Sequence, residues 1–224
     1  MARSVAAIVA HPDDEVLACG ASLAKHADAG DAVHVLILAT GLTSRGGSES
    51  EALEALRRQA RAAARILGVS DVAFGDFPDN QMDTVPLLSV VQHVERFLAD
   101  VRPSLVYTHH GGDLNVDHRI VQQAVATAFR PMPGASPHEI RGCEVNSSTE
   151  WSTPPLAPFE PTVFEPVDDT LDRKVDALAC YAGEVRDWPH PRSLEGVRVL
   201  ARWRGAQCGR NSAEAFTLVR RVAE

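Results

Sequence analysis

Ser4-Val5-Ala6-Ala7-Ile8-Val9-Ala10-His11-Pro12-Asp13-Asp14-Glu15 runs from an unbroken apolar strand pattern into a turn carrying one imidazole and three carboxylates. An amphipathic stretch, Val16 to Ala27, follows at helical spacing. Strand, sharp turn and helix start thus come in sequence. Open α/β sheets gather their chemistry at the carboxyl ends of strands, so this turn is a candidate metal or acid/base site.

Outward from this stretch the same alternation continues. The pattern predicts a helix from Asp14 to Ala29 closed by Gly30, then a buried strand from Ala32 to Ala39. A second helix spans Ser48 to Leu67 with Gly68 as its stop, a short strand Val72 to Gly75, and a third helix Val85 to Asp100. Pro103 restarts an extended segment through Leu105-Val106-Tyr107, and a helix from Val116 to Arg130 follows. Between Pro131 and Pro166 prolines, serines and glycines break the pattern, with strands suggested at Glu139 to Asn146 and Thr162 to Glu165. A helix from Leu171 to Tyr181, an ambiguous apolar segment from Gly196 to Trp203 and a strand-like Ala215 to Val222 complete the chain. The expectation is one domain over residues 1–224: a Rossmann-like, mostly parallel sheet with helices on both faces and its site at the strands' carboxyl ends.

Composition narrows the function. A net charge of −8 without clustered Lys and Arg argues against a nucleic-acid partner and for a small-molecule one. Cys19, Cys143, Cys180 and Cys208 are scattered with no CxxC pair, which predicts reduced thiols and a cytoplasmic setting. No stretch approaches the roughly 20 apolar residues of a membrane span. Neither GxGxxG nor GxxxxGK[ST] follows the first strand, and the glycine-rich loop from Gly41 to Gly47 has no lysine after it, so a phosphate cradle is disfavoured.

The second half of the constellation is Tyr107-Thr108-His109-His110-Gly111-Gly112-Asp113-Leu114-Asn115-Val116-Asp117-His118. His11 and His118 sit at two strand-end turns of one sheet edge and can meet. His11 and Asp14, three apart on an opening helical turn, share a side, while Asp13 projects about 100° round the axis. His11, Asp14 and His118 make a three-ligand set with a position left for water, as in catalytic zinc; Fe2+ suits two imidazoles and a carboxylate almost as well. Alone, the first turn reads equally as Pro12 at the first helical position with acidic residues complementing the helix dipole. The second segment favours the metal.

His11-Pro12-Asp13-Asp14-Glu15 together with Asn115-Val116-Asp117-His118-Arg119 resembles the PIG-L/LmbE family of zinc-dependent N-deacetylases. Leu67-Gly68-Val69, Phe77-Pro78-Asp79, His190-Pro191-Arg192-Ser193, Arg204-Gly205 and Ala213-Glu214-Ala215-Phe216 extend the similarity through most of the chain. The resemblance implies zinc on His11, Asp14 and His118, and Asp13 as general base in removal of an acetyl group from an N-acetylglucosamine-type conjugate. Asp117 is expected to orient an imidazole; its other reading is a helix cap. The family's best-known members carry a histidine where this chain has Asn115. An amide can stabilise an oxyanion but delivers no proton at neutral pH. His109, His110 or His190 would then supply the acid, with His109 preferred, or Asp13 would serve as both base and acid.

Substrate contacts are expected from Arg57 or its neighbour Arg58, from Asp79, and from His110, His190 and Arg192. Arg192, Arg204 and Glu214 either close the sugar pocket or form a structural ion-pair cluster. Ser147-Ser148 and Trp151 fall in the irregular region, where a loop would select the sugar. His26, His34 and His93 lie inside element patterns and read as structural. Two other readings remain at this point, a zinc amidase for a non-sugar acylamine and a non-catalytic carbohydrate-binding protein, and homo-oligomerisation is left open.

Overall fold

Val5, Ala7 and Val9 pack into one hydrophobic cluster and Ala6, Ile8 and Ala10 into another. The first strand is therefore covered on both faces, which is why its sequence shows no polar alternation. The computed structural model describes residues 2–41, 49–131 and 138–222. The expected helix start at Ser48 and most of the glycine-rich 41–47 loop lie outside these residues. The chain forms β1 (Ser4–Val9), α1 (Asp14–Asp28), β2 (Ala32–Ala39), α2 (Glu49–Leu67), β3 (Asp71–Phe77), α3 (Leu87–Val101) and β4 (Leu105–His109). It continues with α4 (Val116–Ala128), β5 (Glu139–Cys143), β6 (Val163–Pro166), α5 (Leu171–Ala179), α6 (Leu194–Cys208) and β7 (Ala213–Arg221).

One sheet takes all seven strands in the order β3-β2-β1-β4-β5-β7-β6. Strands β3 to β5 in that order are parallel, with Val5 opposite both Val33 and Leu105. β7 runs antiparallel to β5 and to β6. Leu17, Leu67, Leu178 and Val197 bring α1, α2, α5 and α6 onto one face; Val91, Val94, Val121 and Val125 bring α3 and α4 onto the other. Because β1 lies between β2 and β4, the chain reverses direction across the sheet there, opening a crevice beyond the carboxyl ends of both strands. Both histidine-bearing turns leave from these ends.

The ambiguous Gly196 to Trp203 segment is part of helix α6, whose first turn is capped by Ser193 Oγ accepting from Gly196 N at 2.9 Å. Its pattern was indistinct because Val199 and Trp203 stay exposed while Val197 and Ala201 are buried, so apolar residues occur on both sides. No helix among the described residues is long and apolar enough to cross a membrane.

Helix α1 is kinked at Cys19, whose φ of −149° and ψ of 18° are not helical. In an unbroken helix Ala21 N–H would bond Leu17 O. Instead Ala21 N and Ser22 N donate to Glu214 at 3.1 and 2.7 Å, and Leu17 O accepts from Lys174 Nζ at 2.9 Å. Lys174 and Glu214 pair at 2.6 Å, both almost fully buried. The ion pair thus joins the two halves of the helix. Glu214 serves this structural role, and Arg204 likewise pairs with Glu144 through two bonds of 2.7 and 2.6 Å.

Candidate metal and catalytic site

Three ligand-type atoms converge at the crevice. Asp14 Oδ2 lies 3.2 Å from His11 Nδ1 and 3.2 Å from His118 Nε2, and the two nitrogens are 3.3 Å apart. A tetrahedral ion with bonds of about 2.0–2.1 Å has ligand-to-ligand edges of about 3.3–3.4 Å. The triangle therefore has the dimensions of one face of such a site. Asp14 is held in place by the His11 backbone N–H, which donates to Oδ2 at 2.8 Å.

A second grouping, His11 with Asp79 and Asp117, shares His11 through its other nitrogen. There both oxygens of Asp117 are already occupied. Asp117 Oδ1 accepts from Met82 N at 3.0 Å, and Oδ2 accepts from Asn80 N at 2.7 Å and from His11 Nε2 at 3.0 Å. With Nε2 donating its proton to Asp117, the Nδ1 lone pair of His11 is left facing Asp14. His118 is built the same way. Its Nδ1 faces Asp113 Oδ1 at 3.1 Å, and Asp113 in turn accepts from Ser148 Oγ, from Thr149 Oγ1 at 2.5 Å and from Asn115 N at 2.8 Å. Each imidazole thus has a carboxylate behind it, the arrangement that fixes ring orientation at metal sites.

The electrostatics also favour a cation. Burial disfavours the His11 imidazolium, but Asp117 and Asp14 outweigh it and raise the group to about 10. Burial is likewise overcome at His118, which Asp14 and Asp113 raise to about 8. Burial would raise Asp113, yet hydrogen bonds from His118, Ser148 and Thr149 hold it at about 2.

Asp13 stands beside the triangle in an uncommon backbone state, φ 105° and ψ −25°, where residues other than glycine are rare. Its carbonyl accepts from Val16 N and Leu17 N at 3.0 and 2.9 Å, opening α1. Its N–H donates to Glu15 Oε2 at 3.1 Å, and Glu15 Oε1 accepts from Tyr181 OH at 2.5 Å. Arg192 Nη1 lies 3.2 Å from Asp13 Oδ2. Burial pushes the Asp13 carboxyl up to about 7 against the opposing charge of Arg192. Burial also pushes Glu15 to about 7, against the Tyr181 hydrogen bond.

A cleft of about 560 Å³ opens over Asp13 and His11, with Asp79 and Asn115 on its wall and Glu184, Arg186 and Arg192 contributed by the loop between α5 and α6. Of the expected substrate contacts, Asp79 and Arg192 are at the cleft. Asp79 Oδ1 lies 3.3 Å from His11 Nε2. Asn115 is the cap of α4: its side-chain oxygen accepts from Asp117 N at 2.8 Å while Nδ2 donates to Asn80 Oδ1 at 3.1 Å. Asn115, not Asp117, is therefore the helix cap.

Four of the expected residues lie away from the cleft lining. His109 does not reach the cleft: it is fully buried, stacks on His118 at 3.9 Å, and its Nε2 accepts from Ala10 N at 2.8 Å. Burial and the neighbouring His118 hold it down at about 3. His110 points away as well, bonding Ala157 O at 2.9 Å through Nε2. Gly112 makes that packing feasible, since a Cβ there would fall 1.9 Å from Ala157 O. His190 accepts from Arg192 N at 3.1 Å and meets Trp151 edge-on, away from the cleft lining. Arg57 pairs with Asp76 at 2.8 Å and lies over Phe74 instead of the cleft, on a helix whose Leu56 is the side chain that borders it. Sequence reasoning missed Asp113, Ser148 and Thr149 behind His118, and Glu184 and Arg186 at the cleft.

Comparison with known proteins agrees with this architecture. The family model of PIG-L, the GlcNAc-PI de-N-acetylases, matches residues 6–129. The uncharacterized deacetylase YaiS of Escherichia coli is 31% identical over 171 residues, 75% of this chain and 83% of that protein. A 4-oxalmesaconate hydratase of Pseudomonas putida is 31% identical over 228 residues, covering 93% of this chain and 82% of that one. The crystal structure of GalB, the 4-carboxy-2-hydroxymuconate hydratase of Pseudomonas putida, superposes with a TM-score of 0.78 at 26% identity, covering 99% and 98% of the two chains. Since the family match takes in more than half the sequence, both histidine turns included, the chain belongs to the PIG-L family and is a metal-dependent enzyme of that deacetylase superfamily.

Proposed function

We propose that the protein hydrolyses the N-acyl bond of an N-acetylglucosamine-type amino sugar conjugate, with zinc held by His11, Asp14 and His118. The observation that carries this reading is the Asp13 carboxyl at the cleft floor beside the ligand triangle. Zinc bound there supplies Lewis acidity, which acidifies water and polarises the acyl carbonyl. Asp13 takes one proton from the attacking water as its oxygen bonds to the carbonyl carbon. The same carboxyl returns that proton to the nitrogen as the C–N bond breaks, giving acetate and a free amine. Asp13 serves as both base and acid because His11, a ligand, is the only imidazole lining the cleft among the described residues. Arg192 orients Asp13 and Asp79 accepts hydroxyls of the sugar. The four free cysteines are in keeping with a reducing, cytoplasmic setting.

Two results test the assembly. Asp117→Ala, which removes the nearer of the two carboxylates behind His11, lowers zinc affinity by about 10–100-fold in chelator competition. Unchanged affinity would remove Asp117 from the site. Zinc-loaded protein incubated with N-acetylglucosamine conjugates releases acetate and primary amine in equal amounts, read by enzymatic acetate assay and an amine-reactive fluorophore. Absence of both products across the conjugates refutes the reading, and full activity with iron alone reassigns the metal.

The hydratase relative favours a second reading, water addition across a conjugated C=C bond of a carboxylated substrate. Arg186 and Arg192 at the cleft would suit its carboxylates. Loss of dienoate absorbance without amine release selects it.

A further inference from the structure

Trp188 and Trp203 are 57% and 60% exposed and Val199 43%, in a protein that buries most of its large apolar side chains. They do not lie apart. All three border one groove of about 290 Å³ between α6 and the loop that joins α5 to α6, with Pro189, Pro191 and Leu200 also on its walls. Two indoles and a valine left in water along one hollow form a contiguous apolar surface of the kind that docks a partner, and tryptophan is the side chain that most often dominates such contacts.

The charges on α6 say which partner fits. Glu195, Val199 and Trp203 follow one another at intervals of four, so they share the outer stripe of the helix. Glu195 and Arg202 are both exposed, and among the described residues neither side chain makes a hydrogen bond or an ion pair. Their neighbours do: Arg198 pairs with Asp172 and Arg204 with Glu144. At about 100° per residue, Glu195 and Arg202 fall to one side of Val199 and Gly196 and Trp203 to the other. Along the axis Arg202 stands about 4.5 Å beyond Val199 and Glu195 about 6 Å before it.

A twofold axis beside Val199 that sets two α6 helices antiparallel therefore brings Arg202 of each copy opposite the partner's Glu195. On the other side of the same contact, Trp203 falls opposite the partner's Gly196. That position adjoins the groove, because the missing side chain lets the loop close on the helix: a Cβ on Gly196 would fall 2.5 Å from Pro191 O. One register thus satisfies both the ion pairs and the indole. A parallel pairing would set Glu195 on Glu195 and Arg202 on Arg202. A surface that carries its own complement is what an isologous contact requires, whereas a foreign partner needs no such match.

We infer that this face joins two copies of the chain, with α6 antiparallel on its mate and Trp203 seated against the partner's groove. The contact lies behind the catalytic cleft, since Pro191 of the groove precedes Arg192, whose Nη1 is 3.2 Å from Asp13 Oδ2. It holds whatever reaction the cleft performs.

Sedimentation velocity on the full chain over a range of concentrations tests it, with circular dichroism to check that each variant is folded. The wild-type chain sediments as a dimer or an even multiple of one. Trp203→Ala raises the dissociation constant at least about 30-fold, the loss of an interface hot spot. Arg202→Glu and Glu195→Arg each weaken association at least about tenfold, because the twofold axis repeats the like-charge contact. The double variant Arg202→Glu with Glu195→Arg restores it to within about threefold of wild type, which only this register allows. A wild-type chain that stays monomeric at every concentration overturns the inference, and uptake of octyl glucoside by that monomer with a blue shift of tryptophan emission would make the groove a hydrocarbon site. An assembly that ignores Trp203→Ala overturns it too, as does a charge-swapped double variant no stronger than either single one.

Discussion

Asn in place of Asp13 leaves zinc content at the wild-type level and lowers turnover by about two to four orders of magnitude, the range for loss of a general base. Asn keeps the shape of the side chain and tolerates the left-handed backbone better than most residues, so the first turn of α1 stays intact. Its amide oxygen still accepts from Arg192, at the position where Asp13 Oδ2 now lies 3.2 Å from the guanidinium. What is lost is the capacity to take a proton from water and return it to the amine. Metal analysis alongside steady-state kinetics checks the outcome. Near-normal turnover in a variant with full zinc would exclude Asp13 from proton transfer.

Lys174→Met is expected to destabilise the protein by about 3–5 kcal/mol, because it strands a buried charge. Glu214 would keep its two backbone donors but lose its cation, and Leu17 O would lose the Lys174 bond that spans the kink. Replacing both partners of a buried pair by apolar residues is often neutral, since two desolvation penalties disappear together. Here Lys174→Met with Glu214→Leu will not recover the loss, since Ala21 N and Ser22 N would then be buried without an acceptor. Urea denaturation of the two single variants and the double variant measures this. Full recovery in the double variant would mean that the kink is maintained by packing alone.

The parts of the fold that depend on local pattern were legible. Apolar runs without alternation marked β1 and β2 as strands covered on both faces, and His11, Asp14 and His118 could be brought together because both turns leave the same sheet edge. What depends on distant partners was not. Nothing in Ala213 to Arg221 tells that this strand inserts antiparallel between β5 and β6. His109 looked like the residue delivered first to the cleft, yet it is the last residue of β4 and turns inward, where Ala10 N–H from the end of the neighbouring strand claims its Nε2. Asp113 did carry a signal. Every ligating imidazole needs a fixed rear acceptor, Asp117 serves His11, and Asp113 is the remaining acid in the turn before His118. Glu184 and Arg186 sit on a loop with no regular pattern, and the packing of the flanking helices α5 and α6, which no local pattern shows, places them at the cleft.

The left-handed backbone at Asp13 sets folding and catalysis against each other at one position. Glycine would adopt φ 105° without steric penalty, and a chain selected for stability alone would gain by having it there. It would also have no proton acceptor. Stabilisation campaigns that rank substitutions by folding free energy will therefore favour Asp13→Gly, and the more thermostable protein they yield will lack the proposed general base.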